Sequence, residues 1–259
     1  MRVLITGDFG YIGTNLALYL KKKKVQVVGI DKRMKRSVET ITEKQLKGID
    51  HVVHLAAISG IKICEENKTQ AIENNVCASF RLFRMCNYMD IPLIFASSQA
   101  AKNPKNTYAF TKFLCEERLS NYAKENGINF KSFRFANVYG GLLYLERKST
   151  VVSNFIKDNE ITINGNGEQT RDFIHVEDIC EAIWLGINNN DIIVKPIDIG
   201  TGVPISILDL AKATKKKFTF DKKSGNIGIM SNVANIKRAK EILDFEAESK
   251  VLNYIKQHT

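Results

Sequence analysis

The sequence lacks the long apolar run that a membrane-spanning helix requires. No run in its 259 residues approaches the ~18 apolar residues of such a helix. Its first residues do not resemble a secretory signal peptide, because Met1 and Arg2 lead directly into an apolar strand pattern and no small-residue cleavage site follows. These absences argue against a membrane protein and predict a cytoplasmic location.

The sequence lacks the cysteine spacings that are typical of a metal site or of a disulfide framework. The five cysteines show no C-x-x-C spacing, and none has a histidine or aspartate at the distance of a metal site. Their odd number and mostly apolar surroundings predict free, buried thiols in a reducing compartment. We therefore expect no disulfide framework and no metal. The cysteines are Cys64, Cys77, Cys86, Cys115 and Cys180.

Acidic residues are fewer than basic ones, which leaves a formal net charge of +10. The lysines cluster at residues 21–24 and 215–217, where predicted helices end and where the helix dipole favours cations. We therefore do not expect nucleic-acid binding, although a basic surface would attract an anionic nucleotide substrate.

Strand patterns alternate with helix-length segments through the first half of the chain. This alternation predicts right-handed βαβ units and a parallel sheet covered on both faces. The second half has no proline- or serine-rich linker and adds further helices, one of them starting after Ser206. The predicted strands are 3–6, 25–31, 37–40, 51–56, 92–97 and 129–135, and the predicted helices include 12–22, 42–47, 68–89, 107–126, 151–157, 176–187 and 237–243.

A glycine-rich turn follows the first predicted strand. Its glycines have the spacing G-x-x-G-x-x-G, not the G-x-G-x-x-G of many dehydrogenases. Gly7 would turn the chain off the strand, Gly10 would let the backbone approach a pyrophosphate, and Gly13 would let the next helix pack on the sheet. By itself the pattern also fits an ordinary turn. Between a strand and a helix it predicts a dinucleotide site.

An acidic residue, Asp31, ends the second predicted strand. A carboxylate about 20 residues beyond such a glycine turn accepts hydrogen bonds from the ribose hydroxyls of NAD and repels the 2′-phosphate of NADP. Lys32 and Arg33 follow directly and could instead attract that phosphate. We expect NAD, with NADP as the alternative.

A tyrosine and a lysine lie four residues apart on the predicted helix 107–126. Tyr108 and Lys112 would share one face, where the ammonium lowers a phenol pKa that starts near ~10 and makes a general base. The alternative is a solvated pair on an amphipathic helix. Ser97 and Ser98 end the strand before this helix, and Ser98 is the better candidate to relay a proton to Tyr108. Both serines could instead cap a turn.

Motifs in this order resemble the extended short-chain dehydrogenase/reductase family, and in particular its NAD-dependent nucleotide-sugar epimerases and dehydratases of the UDP-glucose 4-epimerase type. The resemblance runs nearly end to end. The matching motifs are T-G-x-x-G-[FY]-I-G at 6–13, D-x-V-x-H-L-A-A at 50–57, N-V at 75–76 (which the family places at a helix start), Ser98 with Tyr108 and Lys112, L-R-x-x-N-V-Y-G at 133–140, G-x-G-x-x-x-R-D-F-I-x-V-x-D at 165–178 and I-G-x-G at 199–202.

The resemblance implies a role for each matched residue. Ser98, Tyr108 and Lys112 would be catalytic. Ser98 would also bind the substrate, and Asn137 and Arg171 would contact its diphosphate. The alternative for Arg171 is an ion pair with Asp172 or Asp178. The implied cofactor-binding residues are Gly7, Gly10, Tyr11, Ile12, Asp31, Leu55, Ala56, Ala57, Asn75, Tyr108 and Lys112.

The resemblance also implies an architecture. We expect an α/β fold, a doubly wound Rossmann parallel sheet with a small C-terminal substrate-binding lobe. Residues 1–140 would form the NAD-binding domain, with segments around 172–200 returning to it, and residues 141–259 would form mainly the lobe. In the family, helices such as 68–89 and 107–126 form a four-helix homodimer interface.

Departures from the family pattern narrow the reaction. Family 4,6-dehydratases carry an Asp-Glu pair after the catalytic serine or threonine, where this chain has Gln99 and Ala100. We therefore predict an epimerase that acts on a nucleotide-diphosphate sugar through a 4-keto intermediate. An NAD(P)H-dependent 4-ketoreductase and a catalytically silent nucleotide-binding scaffold remain alternatives.

Two further departures affect binding. Asp8 stands where the family has Gly or Ala, and its carboxylate must point away from a pyrophosphate or repel it. Lys223 stands near the place of a late phosphate-binding arginine.

Overall fold

The computed structural model describes residues 1–142, 144, 150–193, 195–221 and 229–259. The Lys223 position lies outside these residues. The chain divides into two compact units. The first consists of Met1–Arg134 and Cys180–Ile197, and the second of Phe135–Ile179 and Asp198–Thr259.

The strands are short, and six of them form one mostly parallel sheet. Its strand order is β10-β5-β4-β3-β1-β2. The strands are β1 (Arg2–Thr6), β2 (Gln26–Ile30), β3 (His51–His54), β4 (Leu93–Ser98), β5 (Phe130–Phe135), β6 (Asn137–Tyr139), β7 (Ile161–Asn164), β8 (Thr170–Arg171), β9 (Phe173–His175), β10 (Ile197–Ile199), β11 (Ile205–Ser206), β12 (Phe218–Asp221) and β13 (Ser231–Asn232).

The register of this sheet brings several predicted site residues to one edge. Strand β1 pairs in parallel with β2 and with β3, and β3 pairs in parallel with β4. The carboxyl ends of these strands therefore meet at the same edge, where ligands bind in open α/β sheets. Gly7, Asp31, Leu55 and Ser98 lie at or just beyond these ends. The predicted Rossmann-type α/β fold is confirmed.

The helices of the described residues agree in most places with the sequence pattern. Helix α6 begins after Asn106, whose Oδ1 accepts from the amide of Ala109 at 2.9 Å, and ends at Gly127 with φ +66°. The helices are α1 (Tyr11–Lys22), α2 (Glu43–Leu46), α3 (Ile61–Glu66), α4 (Lys68–Ile72), α5 (Ala78–Tyr88), α6 (Thr107–Asn126), α7 (Val151–Lys157), α8 (Val176–Asn188), α9 (Ile207–Ala213), α10 (Lys237–Leu243) and α11 (Val251–His258).

Three expectations about local structure are wrong. The segment predicted as a strand at 37–40 is a 3-10 turn, Val38–Thr40. The predicted helix 68–89 is interrupted by a π-helical turn, Glu73–Cys77, so Asn75 lies inside this turn and not at a helix start. Cys77 is exposed, although the other four cysteines are buried as expected. The pattern also did not predict α11.

Aromatic side chains hold α5 and α6 of the first unit in place. The ring of Phe130 on β5 contacts Phe83 on α5 edge-on at 5.4 Å between centroids and stacks on Phe95 of β4 at 6.4 Å. Such ring pairs add to the burial of apolar area. Tyr122 of α6 also contacts Phe83 edge-on, at 5.8 Å between centroids, so these rigid rings position α5 and α6 relative to β4 and β5.

The second unit contains small sheets. Strand β8 lies between β11, which is antiparallel to it, and β13, which is parallel. Strand β7 pairs in parallel with β12, and β6 with β9. In the described part of the chain, no helix is long and apolar enough to cross a membrane, and no group of three metal-ligating side chains comes together.

Candidate active site

The glycine turn after β1 has the geometry of a phosphate cradle. Gly7 has φ +76°, and its amide donates to the carbonyl of Ile30 at 2.7 Å, which turns the chain at the ends of β1 and β2. A Cβ on Gly13 would overlap the carbonyl oxygen of Gly7, so only glycine allows α1 to start this close to the strand.

The N-terminus of α1 offers main-chain donors. Gly10 caps this helix without a side-chain hydrogen bond, and the first turn carries no acidic residue. Main-chain amides in the first turn of an α-helix are available to a ligand as a rule, and the first turn of α1 includes Tyr11 and Ile12. Main-chain donors at the positive end of a helix suit a pyrophosphate. These residues therefore fit the phosphates of a dinucleotide.

The segment after β3 lies against this turn. The amide of Leu55 donates to the carbonyl of Thr6 at 3.2 Å, and the amide of Ala56 donates to Thr6 Oγ1 at 3.2 Å. A Cβ on Gly7 would lie 3.0 Å from the amide nitrogen of Ala56. The structure thus brings Leu55 and Ala56 together with the glycine turn, and Ala57 follows them directly in the chain.

A buried histidine whose role the sequence did not reveal supports this edge. His54 Nδ1 is 2.6 Å from Thr6 Oγ1, and its Nε2 is 2.8 Å from Ser79 Oγ on α5. Burial, together with a smaller effect of the charge of Lys112, lowers the pKa of His54 to about 3. His54 is therefore neutral at pH 7 and links β1, β3 and α5. In the sequence, only its place in the motif at 50–57 indicated that His54 has a role.

The charged residues beyond β2 interact with each other and with nearby loops. Asp31 Oδ1 accepts from the amide of Arg33 at 2.9 Å and so caps the 3-10 turn Lys32–Met34. Lys32 Nζ lies 2.8 Å from Glu39 Oε1 and also bonds to Asn74 Oδ1. Arg33 Nη1 donates to the carbonyl of Phe9. Both cations next to Asp31 therefore already have partners in the protein.

Asp8 points toward β2. A Cβ on Gly29 would overlap its carboxylate, so the absence of a side chain at Gly29 makes room for it. Within the described residues, its buried Oδ1 has no hydrogen-bond partner. Burial raises the pKa of Asp8, the charge of Asp31 raises it further, and Arg36 lowers it.

Lys112 lies inside the first unit and next to the end of β4. Its side chain is buried, and Nζ donates to the carbonyl of Ala96 at 2.7 Å and lies 4.8 Å from the centre of the Phe95 ring. Burial lowers the pKa of Lys112 to about 8. Tyr108 is half-buried one turn earlier on α6. The alternative of a solvated pair on an amphipathic helix required both side chains to be exposed, and Lys112 is buried.

The two serines at the end of β4 have different partners. Ser97 Oγ donates to Glu116 Oε2 at 2.6 Å, and Glu116 is completely buried. Ser98 Oγ accepts from the amide of Ala100 at 3.2 Å, which caps the 3-10 turn Gln99–Lys102. Ser98 therefore caps a turn, yet in this bond it only accepts, so its own proton remains available for donation.

Asn75 connects the segment after β3 with α6. Its Oδ1 accepts from the amide of Ile58 at 2.7 Å, and its Nδ2 donates to the carbonyl of Ile58 at 3.0 Å and to Thr111 Oγ1 at 3.2 Å. Thr111 in turn donates to the carbonyl of Tyr108 at 2.8 Å. Asn75 is therefore placed to position both tyrosine and lysine, and π-helical turns such as its own are frequent at functional sites.

In the second unit, Asn137 and Arg171 line one cavity of about 370 Å³. Asn137 Nδ2 donates to the carbonyl of Asp172 at 2.9 Å. Arg171 Nη1 donates to the carbonyls of Thr170 and Ile229, each at 2.7 Å. The rest of a guanidinium fork and of an amide can still serve a ligand. Phe155, Asn164, Gln169 and Ile207 also line this cavity.

Asp172 is a structural residue. Its buried carboxylate accepts from Thr201 through the amide at 3.0 Å and Oγ1 at 2.8 Å, from the amide of Gly202 at 2.9 Å and from the amide of Ala234 at 3.2 Å. The alternative in which Asp172 pairs with Arg171 is therefore wrong. Asp172 organises the loops of the second unit, and only its place in the motif at 165–178 indicated its importance.

Residues 3–200 match the model of the NAD dependent epimerase/dehydratase family. The chain belongs to this family. It is 26% identical over 312 residues to UDP-glucose 4-epimerase of Mycoplasma genitalium, with 95% of this chain and 91% of that protein covered. It is 27% identical over 266 residues to dTDP-D-glucose 4,6-dehydratase of Dictyostelium discoideum, with 82% of this chain and 61% of that protein covered. The family resemblance predicted from the motifs is confirmed.

A solved structure shows the same fold. UDP-glucuronic acid 4-epimerase from Bacillus cereus, in complex with UDP-glucuronic acid and NAD, superimposes with a TM-score of 0.86 over 100% of this chain and 98% of that chain, at 24% identity. At this identity the likeness concerns the fold.

Proposed function

We propose that this protein is an NAD-dependent epimerase that inverts C4 of a nucleotide-diphosphate sugar through a transient 4-keto sugar. The placement of Lys112 carries the proposal, because its buried ammonium is anchored to the main chain of β4 two residues before Ser98, and Lys112 lies one helical turn from Tyr108. A surface pair would not be buried in this way. Membership of the NAD-dependent family and the relative named UDP-glucose 4-epimerase support the same conclusion.

The dinucleotide would be held by the first unit. The glycine turn and the amides of α1 would bind its pyrophosphate, Asp31 its adenosine ribose, and Leu55, Ala56 and Ala57 would line the same edge. NAD supplies a reversible hydride acceptor at the sugar carbon.

The protein's own residues would move the proton. Tyr108 Oη would take the proton of the sugar 4-hydroxyl when the carbon is oxidised and return it when the ketone is reduced on its other face. The Lys112 ammonium would stabilise the phenolate, and the free donor of Ser98 would relay the proton or hold the sugar oxygen. Asn75 would keep this group of residues in position.

Gln99 argues against a dehydratase. Its Nε2 donates to the main-chain carbonyl of Arg134 at 3.0 Å, so the side chain is committed to the sheet. Neither this amide nor the methyl group of Ala100 can protonate a leaving hydroxyl or remove a carbon-bound proton.

The substrate would use the cavity of the second unit. Arg171 offers a cationic fork and Asn137 an amide, which together suit a diphosphate. We propose a nucleotide-diphosphate sugar as the ligand and UDP-glucose as the first one to examine.

We also propose a homodimer in the cytoplasm. Large apolar or aromatic side chains are exposed on α4, α5 and α6 of the first unit, namely Ile72, Tyr88, Phe110 and Tyr122. Exposed apolar side chains on these helices favour an interaction surface, and Phe113 and Leu114 on α6 are half-buried. Light scattering at micromolar concentration should give twice the chain mass; a monomer alone would contradict the dimer.

Two measurements test the function. Mass spectrometry of the nucleotide released on denaturation should identify NAD. Incubation with UDP-glucose, followed by NMR, should give its C4 epimer without added cofactor. Reduction of a 4-keto sugar only with added NADPH would instead indicate a ketoreductase, and binding of nucleotides without turnover would indicate a silent scaffold.

A further inference from the structure

Asp8 has no counterpart in the family pattern, and its place at the sheet edge suggests a role. The amide of Gly7 donates to the carbonyl of Ile30, so residue 8 begins its path beside the end of β2. Its carboxylate fills the space over Gly29, two residues before Asp31. Two carboxylates therefore share the end of β2.

The surroundings of Asp8 are incomplete without a donor. Its Oδ1 is buried and accepts no hydrogen bond from another described residue. A buried acceptor without a donor costs free energy. Arg36 compensates part of the charge, while Asp31 repels it. Asp8 as a whole is only half-buried, so a ligand hydroxyl would reach this carboxylate through its other oxygen, Oδ2.

The two cations that follow Asp31 are already bonded to other groups of the protein. Lys32 is paired with Glu39, and Arg33 is bonded to the carbonyl of Phe9. Each of these bonds would have to be broken before the cation could bind a phosphate.

We propose that Asp8 is a second specificity-determining residue for the cofactor, which acts with Asp31 to accept from the adenosine ribose hydroxyls and to exclude a 2′-phosphate. This rests on the proposed NAD-binding function. A phosphate in place of the 2′-hydroxyl would remove the donor and bring about −1.5 to −2 charges next to two carboxylates. The chain therefore rejects NADP more strongly than Asp31 alone would achieve.

Binding measurements separate this proposal from catalysis. Protein freed of nucleotide is titrated calorimetrically with NAD and NADP, and with ADP-ribose and its 2′-phosphate to exclude effects of the nicotinamide. Asp8→Asn removes the charge and keeps the shape of the side chain. It should shift the ratio of the NAD and NADP dissociation constants toward NADP by tenfold or more, mainly through tighter NADP binding.

A second variant and a control complete the design. Asp8→Gly, which restores the family residue, should shift the ratio in the same direction, so the result does not depend on how asparagine packs. Asp90→Asn removes a charge from an exposed position of the same unit and should leave the ratio unchanged.

The outcomes are distinct. If the unaltered protein binds NAD but the ratio stays the same in both Asp8 variants, Asp31 acts alone and this inference is overturned while the proposed function stands. If the unaltered protein binds neither dinucleotide nor ADP-ribose, the proposed function is overturned and the inference with it.

Discussion

The ammonium of Lys112 donates a hydrogen bond to the carbonyl oxygen of Ala96 at 2.7 Å. This bond ties α6 to β4 two residues before Ser98. Lys112 therefore joins the helix that carries Tyr108, the proposed general base, to the strand that carries Ser98. The same burial that fixes the geometry disfavours the charge of the lysine. The cost should be visible in the stability of the protein.

We predict that Lys112 makes stability depend on pH in the alkaline range. The pKa of Lys112 in the folded protein is about 8, below the ordinary 10.5. Between these pH values the unfolded chain still binds the proton while the folded protein has released it, so the free energy of unfolding rises with pH. Urea unfolding of nucleotide-free protein between pH 7.5 and 10 should show this rise relative to Lys112→Met.

Lys105→Met, at an exposed position, is the control and should follow the unaltered protein. Burial also lowers the pKa of Lys131 to about 8. Its effect on the free energy of unfolding is the same in the unaltered protein and in Lys112→Met, so it cancels in their difference. Parallel curves for the unaltered protein and Lys112→Met would contradict the prediction.

Replacing Tyr108 with phenylalanine should abolish most of the activity without unfolding the protein. The change removes one oxygen, and a positioned general base contributes roughly 10²–10⁴ to the rate. Steady-state turnover of UDP-glucose and a thermal melt measure the two effects. Tyr122→Phe, at an exposed position on the same helix, should retain full activity. If Tyr108→Phe kept most of the rate, the assignment to Ser-Tyr-Lys chemistry would have to be abandoned.

Arg171→Ala should weaken the binding of the nucleotide sugar. Loss of a charged hydrogen bond costs about 1.5–3 kcal/mol, so KM should rise by roughly 10- to 100-fold. The affinity for NAD should stay the same. Lys237→Ala removes an exposed cation from the same unit and should leave KM unchanged. Because Arg171 also bonds to the carbonyls of Thr170 and Ile229, a loss of stability with an unchanged KM would make it a structural residue.

Glu116→Gln should strongly destabilise the first unit. Glu116 is completely buried, accepts from Ser97, and binds Arg134 Nε through both oxygens, at 2.8 and 3.0 Å. Removing one partner of a buried ion pair costs about 3–5 kcal/mol. Glu66→Gln breaks an exposed pair with Lys62 and should cost at most about 1 kcal/mol. If urea unfolding gave similar losses of stability for Glu116→Gln and Glu66→Gln, the buried pair would contribute no more than the exposed one, which would contradict the prediction.

Gly29→Ala should be coupled to Asp8. The new methyl group would overlap the Asp8 carboxylate, and overpacking costs about 1–3 kcal/mol. In an Asp8→Gly background these overlapping carboxylate atoms are gone, so the same change should cost less. A double-mutant cycle by urea unfolding measures the coupling, and additive effects would show that the two residues do not compete for one space.

Local signals in the sequence were sufficient for most of the first unit. The bounds of α6 follow from Asn106 and Gly127, because a side-chain cap and a left-handed C-terminal residue act within one turn of the chain. The glycine turn and the strands β1, β2, β3 and β4 also follow from the pattern, with ends within two residues of those observed, since the period of apolar residues reports burial directly. Order and spacing of motifs were enough for the family.

Tertiary contacts decided the rest. The helix pattern at 68–89 is broken where Asn75 satisfies the main chain of Ile58 and bonds to Thr111, partners that are distant in the sequence. The direction of Asp8, the partners of Ser97 and the carboxylate of Asp172 also depend on such partners. Periodicity and capping act over a few residues, whereas the partner of a buried polar group is whichever group the fold brings within about 3 Å of it.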